Sequence, residues 1–152
     1  MRQAQGLQSA MVAAGREYFG TSLTLRGDSQ ELDIILAPGE FGSITPENSQ
    51  KWEVVQPSRG QFSFGEGDRH VDWAVEQGMQ LRCHTLVWYS QLPQWVNGIN
   101  DNSTLYEVME THINTVMGRW KGKCTHWDVV NEGKCDGTRL ATKLLTCVFS
   151  SE

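Results

Sequence analysis

Three consecutive stretches decide the fold: MQLRCHTLVW (79–88), STLYEVMETHINTVMGRW (103–120) and CTHWDVV (124–130). The first and third are short runs rich in β-branched and aromatic residues, which read as strands. The middle one places Leu105, Val108, Met109, His112, Ile113, Val116, Met117 and Trp120 at steps of three and four. That is one apolar stripe on a helix, and His112 reads as a packed histidine within it. Asn102 and Ser103 stand where N-caps belong. A strand, a helix that carries the chain back and a second strand make a unit whose two strands lie parallel.

The same alternation extends upstream. LQSAMVAAGR (7–16) reads as a short helix ending near Gly15, and YFGTSLTL (18–25) is β-prone. GDSQELDIILAPGEF (27–41) is a polar loop and a short apolar helix broken at Pro38-Gly39. FGSIT (41–45) is strand-like, and VVQPSRGQFSFGEGD (54–68) is a long loop. A helix is expected over about 67–77, with Val71, Ala74 and Val75 as its apolar face and Gly78 in a left-handed cap. The fold class is therefore α/β with a parallel sheet. About four strand–helix units fit, where a closed (β/α)₈ barrel needs about 250 residues.

The chain has 152 residues, 39% of them hydrophobic and 20% charged, an ordinary globular balance. Its net charge of −5 gives no general attraction to phosphate backbones, so no nucleic-acid partner is expected. No apolar run approaches the roughly 18 residues a membrane span needs, so no membrane partner is expected either. The first twenty residues lack the continuous apolar core of a signal peptide. Four cysteines, Cys83, Cys124, Cys135 and Cys147, form no CxxC pair, and three disulfide pairings stay open. No metal or cofactor is expected.

Polar residues gather after the strands, at the end of a parallel sheet where ligands bind. Glu47, Asn48 and Lys51 follow the second strand. His84, Trp88 and Gln91 lie in and after the third, and Asn131 and Glu132 end the fourth. Amides and charged groups suit the hydroxyls of an uncharged sugar, and a Trp packs on the apolar face of its ring. Six Trp in 152 residues supply such surfaces, although each also serves as core.

ITPENSQKW (44–52), HTLVWYSQLPQW (84–95) and WDVVNE (127–132) resemble the family-10 glycoside hydrolases, the endo-β-1,4-xylanases of fungal type. GREYFGT (15–21) is similar to that family's first helix and strand, and the likeness covers about residues 7–132. It implies the N-terminal half of a (β/α)₈ barrel that cleaves xylan with retention. Glu132 would be the acid/base carboxyl, and Asn131 would bind the sugar 2-hydroxyl. Glu47, Asn48, Lys51, His84, Trp88 and Gln91 would line the glycone side. Xylan and xylooligosaccharides would be the partners, and the protein would work outside the cell.

The chain departs from that pattern at Gln50, where Met is usual, at Cys83, where Gly is usual, and at Tyr89, where a His usually follows the Trp. The family's nucleophile lies in a Thr-Glu-Leu-Asp-like stretch on a seventh strand, and the sequence holds no such stretch. Residues 133–152 have no counterpart in the resemblance. They read either as a divergent tail or as translated intron, because Gly133-Lys134-Cys135 can be encoded by a splice-donor consensus. Two expectations follow for the chain as written: a reaction lacking one of its two carboxyls, and self-association through open sheet edges. A non-catalytic carbohydrate-binding remnant and a non-functional product are the alternatives. Asn102-Ser103-Thr104 is a glycosylation acceptor of the kind secreted proteins carry.

Overall fold

A computed structural model describes residues 6–132. Their element order is α1 (Leu7–Ala13), β1 (Gly20–Leu23), α2 (Ser29–Ile35), β2 (Ser43–Pro46), α3 (Trp52–Val55), α4 (Gly65–Glu76), β3 (Gln80–Trp88), α5 (Gln94–Asn97), α6 (Asn102–Arg119) and β4 (His126–Asn131). The four strands pair in chain order, β1-β2-β3-β4, and every pairing is parallel. The expectations for 133–152, including Cys135 and Cys147, fall outside the described residues.

The sheet curls. Tyr18, just ahead of β1, meets His126, the first residue of β4, with its hydroxyl 2.7 Å from Nδ1. In a flat sheet the first and fourth strands lie about 14 Å apart with side chains standing up in parallel. The contact across that gap requires the two outer strands to bend toward each other.

Alternation along β3 separates two faces. Leu81 and Cys83 are buried, whereas Gln80 and Arg82 are exposed and His84 is half-buried. The buried side joins Leu23, Ile44, Val71, Ala74, Val116 and Trp120 in one core beneath α3, α4 and α6. Trp120 anchors it. Its ring stacks on Trp127 and meets Phe64 edge-on, and its Nε1 donates to Asp68 at 2.8 Å. A side chain on Gly67 would run into that ring, so the close approach of α4 requires glycine there.

Three local expectations need correction. On α4, Val75 is 55% exposed, and the buried stripe is Gly67, His70, Val71 and Ala74. Val75 sits about 100° round the helix from Ala74, and His70 fills the inward place. His70 belongs there because both ring nitrogens are satisfied: Nε2 accepts from the Leu25 amide at 3.0 Å, and Nδ1 lies 2.9 Å from the Glu66 carbonyl. The N-cap of α6 is Asp101, whose carboxylate accepts from the Thr104 amide at 2.7 Å, so neither Asn102 nor Ser103 caps it. The expected loop over 54–68 contains the end of the one-turn helix α3 and the start of α4. His112 is packed as expected, stacked on Trp52 with ring centroids 3.9 Å apart.

Candidate active site

All eight residues singled out in the sequence lie at the C-terminal ends of the strands or on β3 leading there. The Trp88 indole connects two of their clusters. Its Nε1 donates to Glu132 Oε2 at 2.9 Å, and Lys51 Nζ lies 4.7 Å from its ring centroid. Lys51 Nζ also donates to Asn48 Oδ1 at 2.9 Å and to Gln91 Oε1. Gln91 Nε2 donates to the same Asn48 oxygen at 3.3 Å. Lys51, Asn48 and Gln91 thus form a closed triangle beside the Trp88 ring, with Glu132 beyond its nitrogen.

Lys51 is only 8% exposed. Burial pushes its pKa down, and the charges of Glu47, Glu53 and Glu132 oppose that shift without cancelling it. Glu47 accepts from the hydroxyls of Ser22, at 3.3 Å, and Thr24, and lies 3.7 Å from the Arg26 guanidinium. Strand β1 therefore orients the carboxylate that follows β2.

Two of these residues hold left-handed backbone conformations without being glycine: Gln91 at φ 47° and Glu132 at φ 51°. Such geometry costs of order 1 kcal/mol or more and persists where the surroundings enforce it. Here it aims the Gln91 amide at Lys51 and the Glu132 carboxylate at Trp88.

The concave face of the sheet encloses a cavity of about 910 Å³, bordered by Glu47, His84 and Asn131. Its lining also holds a group that reading the sequence missed. Asp128 accepts from His84 Nδ1 at 2.8 Å and takes a two-pronged contact from Arg82, whose Nη2 is 2.6 Å away. Burial raises the Asp128 pKa, but Arg82 and His84 outweigh it and hold the carboxyl below its ordinary value. The His84 amide donates to Gln50 Oε1 at 2.9 Å, and Gln50 Nε2 donates to Cys83 Sγ at 3.3 Å. Cys83 is joined to Cys124 by a disulfide, which settles one of the open pairings. The unusual Gln50 and Cys83 are thus neighbours, and both fix the main chain at His84. The missed signal was a period of two. Arg82 and His84 alternate with Leu81 and Cys83, and Asp128 pairs in register with His84.

The sequence profile of glycosyl hydrolase family 10 matches residues 6–150. The chain belongs to that family. Among its curated relatives, endo-1,4-beta-xylanase 1 of Gibberella zeae is 62% identical over 139 residues, covering 90% of this chain and 39% of the relative. Endo-1,4-beta-xylanase B of Humicola insolens is 65% identical over 130 residues, covering 84% and 36%. The family 10 chain therefore spans well under half the length of these relatives. Among solved structures, xylanase 10B of Thermotoga petrophila RKU-1 in complex with xylobiose superposes with a TM-score of 0.80 at 34% identity. That match covers 93% of this chain and 45% of the other. The four parallel strands are accordingly part of a (β/α)₈ barrel, with the polar cluster at the end where barrel enzymes carry out their chemistry.

Proposed function

We propose that this family 10 chain forms the glycone side and the acid/base arm of an endo-1,4-β-xylanase site acting outside the cell. The observation that carries the reading is the Trp88 indole held between Lys51 and Glu132, within a cluster of amides and carboxylates. A flat apolar ring edged by directional hydrogen-bonding groups fits a pyranose, which presents C–H bonds on its faces and hydroxyls on its rim. The names of the relatives, endo-1,4-beta-xylanases at above 60% identity, favour xylan among polysaccharides.

In this reading Glu132 protonates the leaving glycosidic oxygen and later takes a proton from the attacking water. Lys51, Asn48, Gln91 and Glu47 bind sugar hydroxyls, and Asn131 takes the 2-hydroxyl of the sugar undergoing cleavage. His84, oriented by Asp128, supplies a further polar contact from the wall of the cavity. Retention needs a second carboxyl about 5–5.5 Å from the first, and no residue of the site described above takes that role.

The test is calorimetric titration of the purified chain with xylotriose and, in parallel, cellotriose. Saturable binding of xylotriose that Lys51→Met weakens at least tenfold is expected. Absence of saturable binding at millimolar sugar would overturn the reading. A non-catalytic xylan-binding role is the second reading, because the Lys51, Asn48 and Gln91 triangle beside Trp88 can hold a sugar without a reacting carboxyl. Reducing-sugar release from xylan by the purified chain would exclude the second reading.

A further inference from the structure

The chain direction places α6 in a particular way. Strands β3 and β4 are parallel, and α6 carries the chain from the end of one to the start of the other. Its N-terminus therefore lies at the same end of the sheet as Trp88, Asn131 and Glu132. The first residue of α6 is Asn102, and Asn102-Ser103-Thr104 is an Asn-x-Thr acceptor. Asn102 and Ser103 are exposed, and the buried stripe of the helix begins only at Leu105. The cap of α6 does not use the Asn102 side chain, because Asp101 receives the Thr104 amide. A substituent on the Asn102 amide nitrogen would displace no core group.

A second observation bears on the compartment. Cys83, buried, and Cys124, half-buried, form a disulfide against the core, and such bonds form and persist in oxidising, secretory environments. The enzymes that glycosylate asparagine operate on the same route.

We propose that Asn102 carries an N-linked glycan at the substrate-facing end of the barrel. The bond formed is an N-glycosidic bond between the Asn102 amide nitrogen and the first sugar of a lipid-linked oligosaccharide. The lipid diphosphate leaves, and the amide proton passes to solvent. The proposal rests on the extracellular reading above, but its test does not depend on xylanase activity.

The chain 1–152 is produced in yeast behind a secretion leader, and its intact mass is read before and after endoglycosidase treatment, without reduction. The expected result is a glycan on the disulfide-bonded fraction, removed by the endoglycosidase. Asn102→Gln and Thr104→Val should abolish it, whereas Thr104→Ser and Ser103→Ala should retain it. An unglycosylated wild-type chain, or a glycan confined to the fraction lacking the Cys83–Cys124 bond, overturns the proposal. If xylotriose binding fails while the glycan is present, the fault lies with the xylanase reading and not with this one.

Discussion

The two faces of one sheet are built on opposite principles. The convex face is packed across β2 and β3: Ile44, Leu81 and Cys83 are buried to 1% exposure or less beneath the helices. The concave face is polar and open, with Arg82, His84, Asp128, His126 and Tyr18 around a cavity of about 910 Å³. Each strand contributes to both, because successive residues point to opposite sides. Stability and chemistry therefore reside on opposite sides of the same strands. The convex side gains free energy by removing apolar surface from water. The concave side holds charges in defined positions through hydrogen bonds, which add less net stability and much more geometry.

The hardest test of that division is Trp120→Ala. Removing this buried ring deletes its contacts with Trp127, Phe64 and Asp68, so unfolding in urea should become easier by roughly 3–5 kcal/mol. A loss below about 1 kcal/mol would mean that the convex core is not where the stability lies.

Acid should attack the same face next. Burial depresses the His112 pKa from 6.5 to about 3, and a contact with the Leu86 backbone opposes this only partly. Between those values the unfolded chain binds the proton and the folded chain does not. Stability therefore falls as the pH is lowered, by about 1.4 kcal/mol per pH unit, or about 2 kcal/mol at pH 5. Urea midpoints measured from pH 7 to pH 4 should show this slope, and His112→Phe should flatten it. Asp128 adds loss in the same direction at lower pH, because its folded pKa lies below the ordinary carboxylate value.

The concave face should respond the other way round. Asp128→Asn removes the anion that holds His84 and Arg82, so xylotriose affinity should fall about tenfold while the urea midpoint shifts less than for Trp120→Ala. Equal damage to binding and folding would erase the distinction between the faces. The smallest effect is expected from Tyr18→Phe, which removes the hydroxyl that meets His126 across the curl. An exposed hydrogen bond of this kind contributes about 0.5–1 kcal/mol, and sugar binding should stay within twofold.

The four longer helices, α1, α2, α4 and α6, and the four strands were legible in their order because each depends on a local pattern, whereas the one-turn helices α3 and α5 are too short to show a period. The stripe from Leu105 to Trp120 has the helical period wherever the chain goes, and strand-like runs flank it. The misplaced features were a helix face decided by a neighbour from elsewhere in the chain and a helix start displaced by one residue. Val75 looked as apolar as Ala74, but the sheet lies against only one side of α4. Asn102 and Ser103 looked like caps, but the helix begins at Asn102 and Asp101 accepts from the Thr104 amide.

For the candidate site, the residue types that collect after the strands could be read along the chain, and their family pattern named Glu47, Asn48, Lys51, His84, Trp88, Gln91, Asn131 and Glu132. Folding alone brings the Trp88 indole between Lys51 and Glu132, sets Asp128 against His84, and puts Gln50 in contact with Cys83. Those contacts join residues 33 to 44 positions apart. No local periodicity encodes them. They arise when parallel pairing sets the register of β3 against β4 and the curl of the sheet turns polar side chains inward, and both are properties of the packed whole.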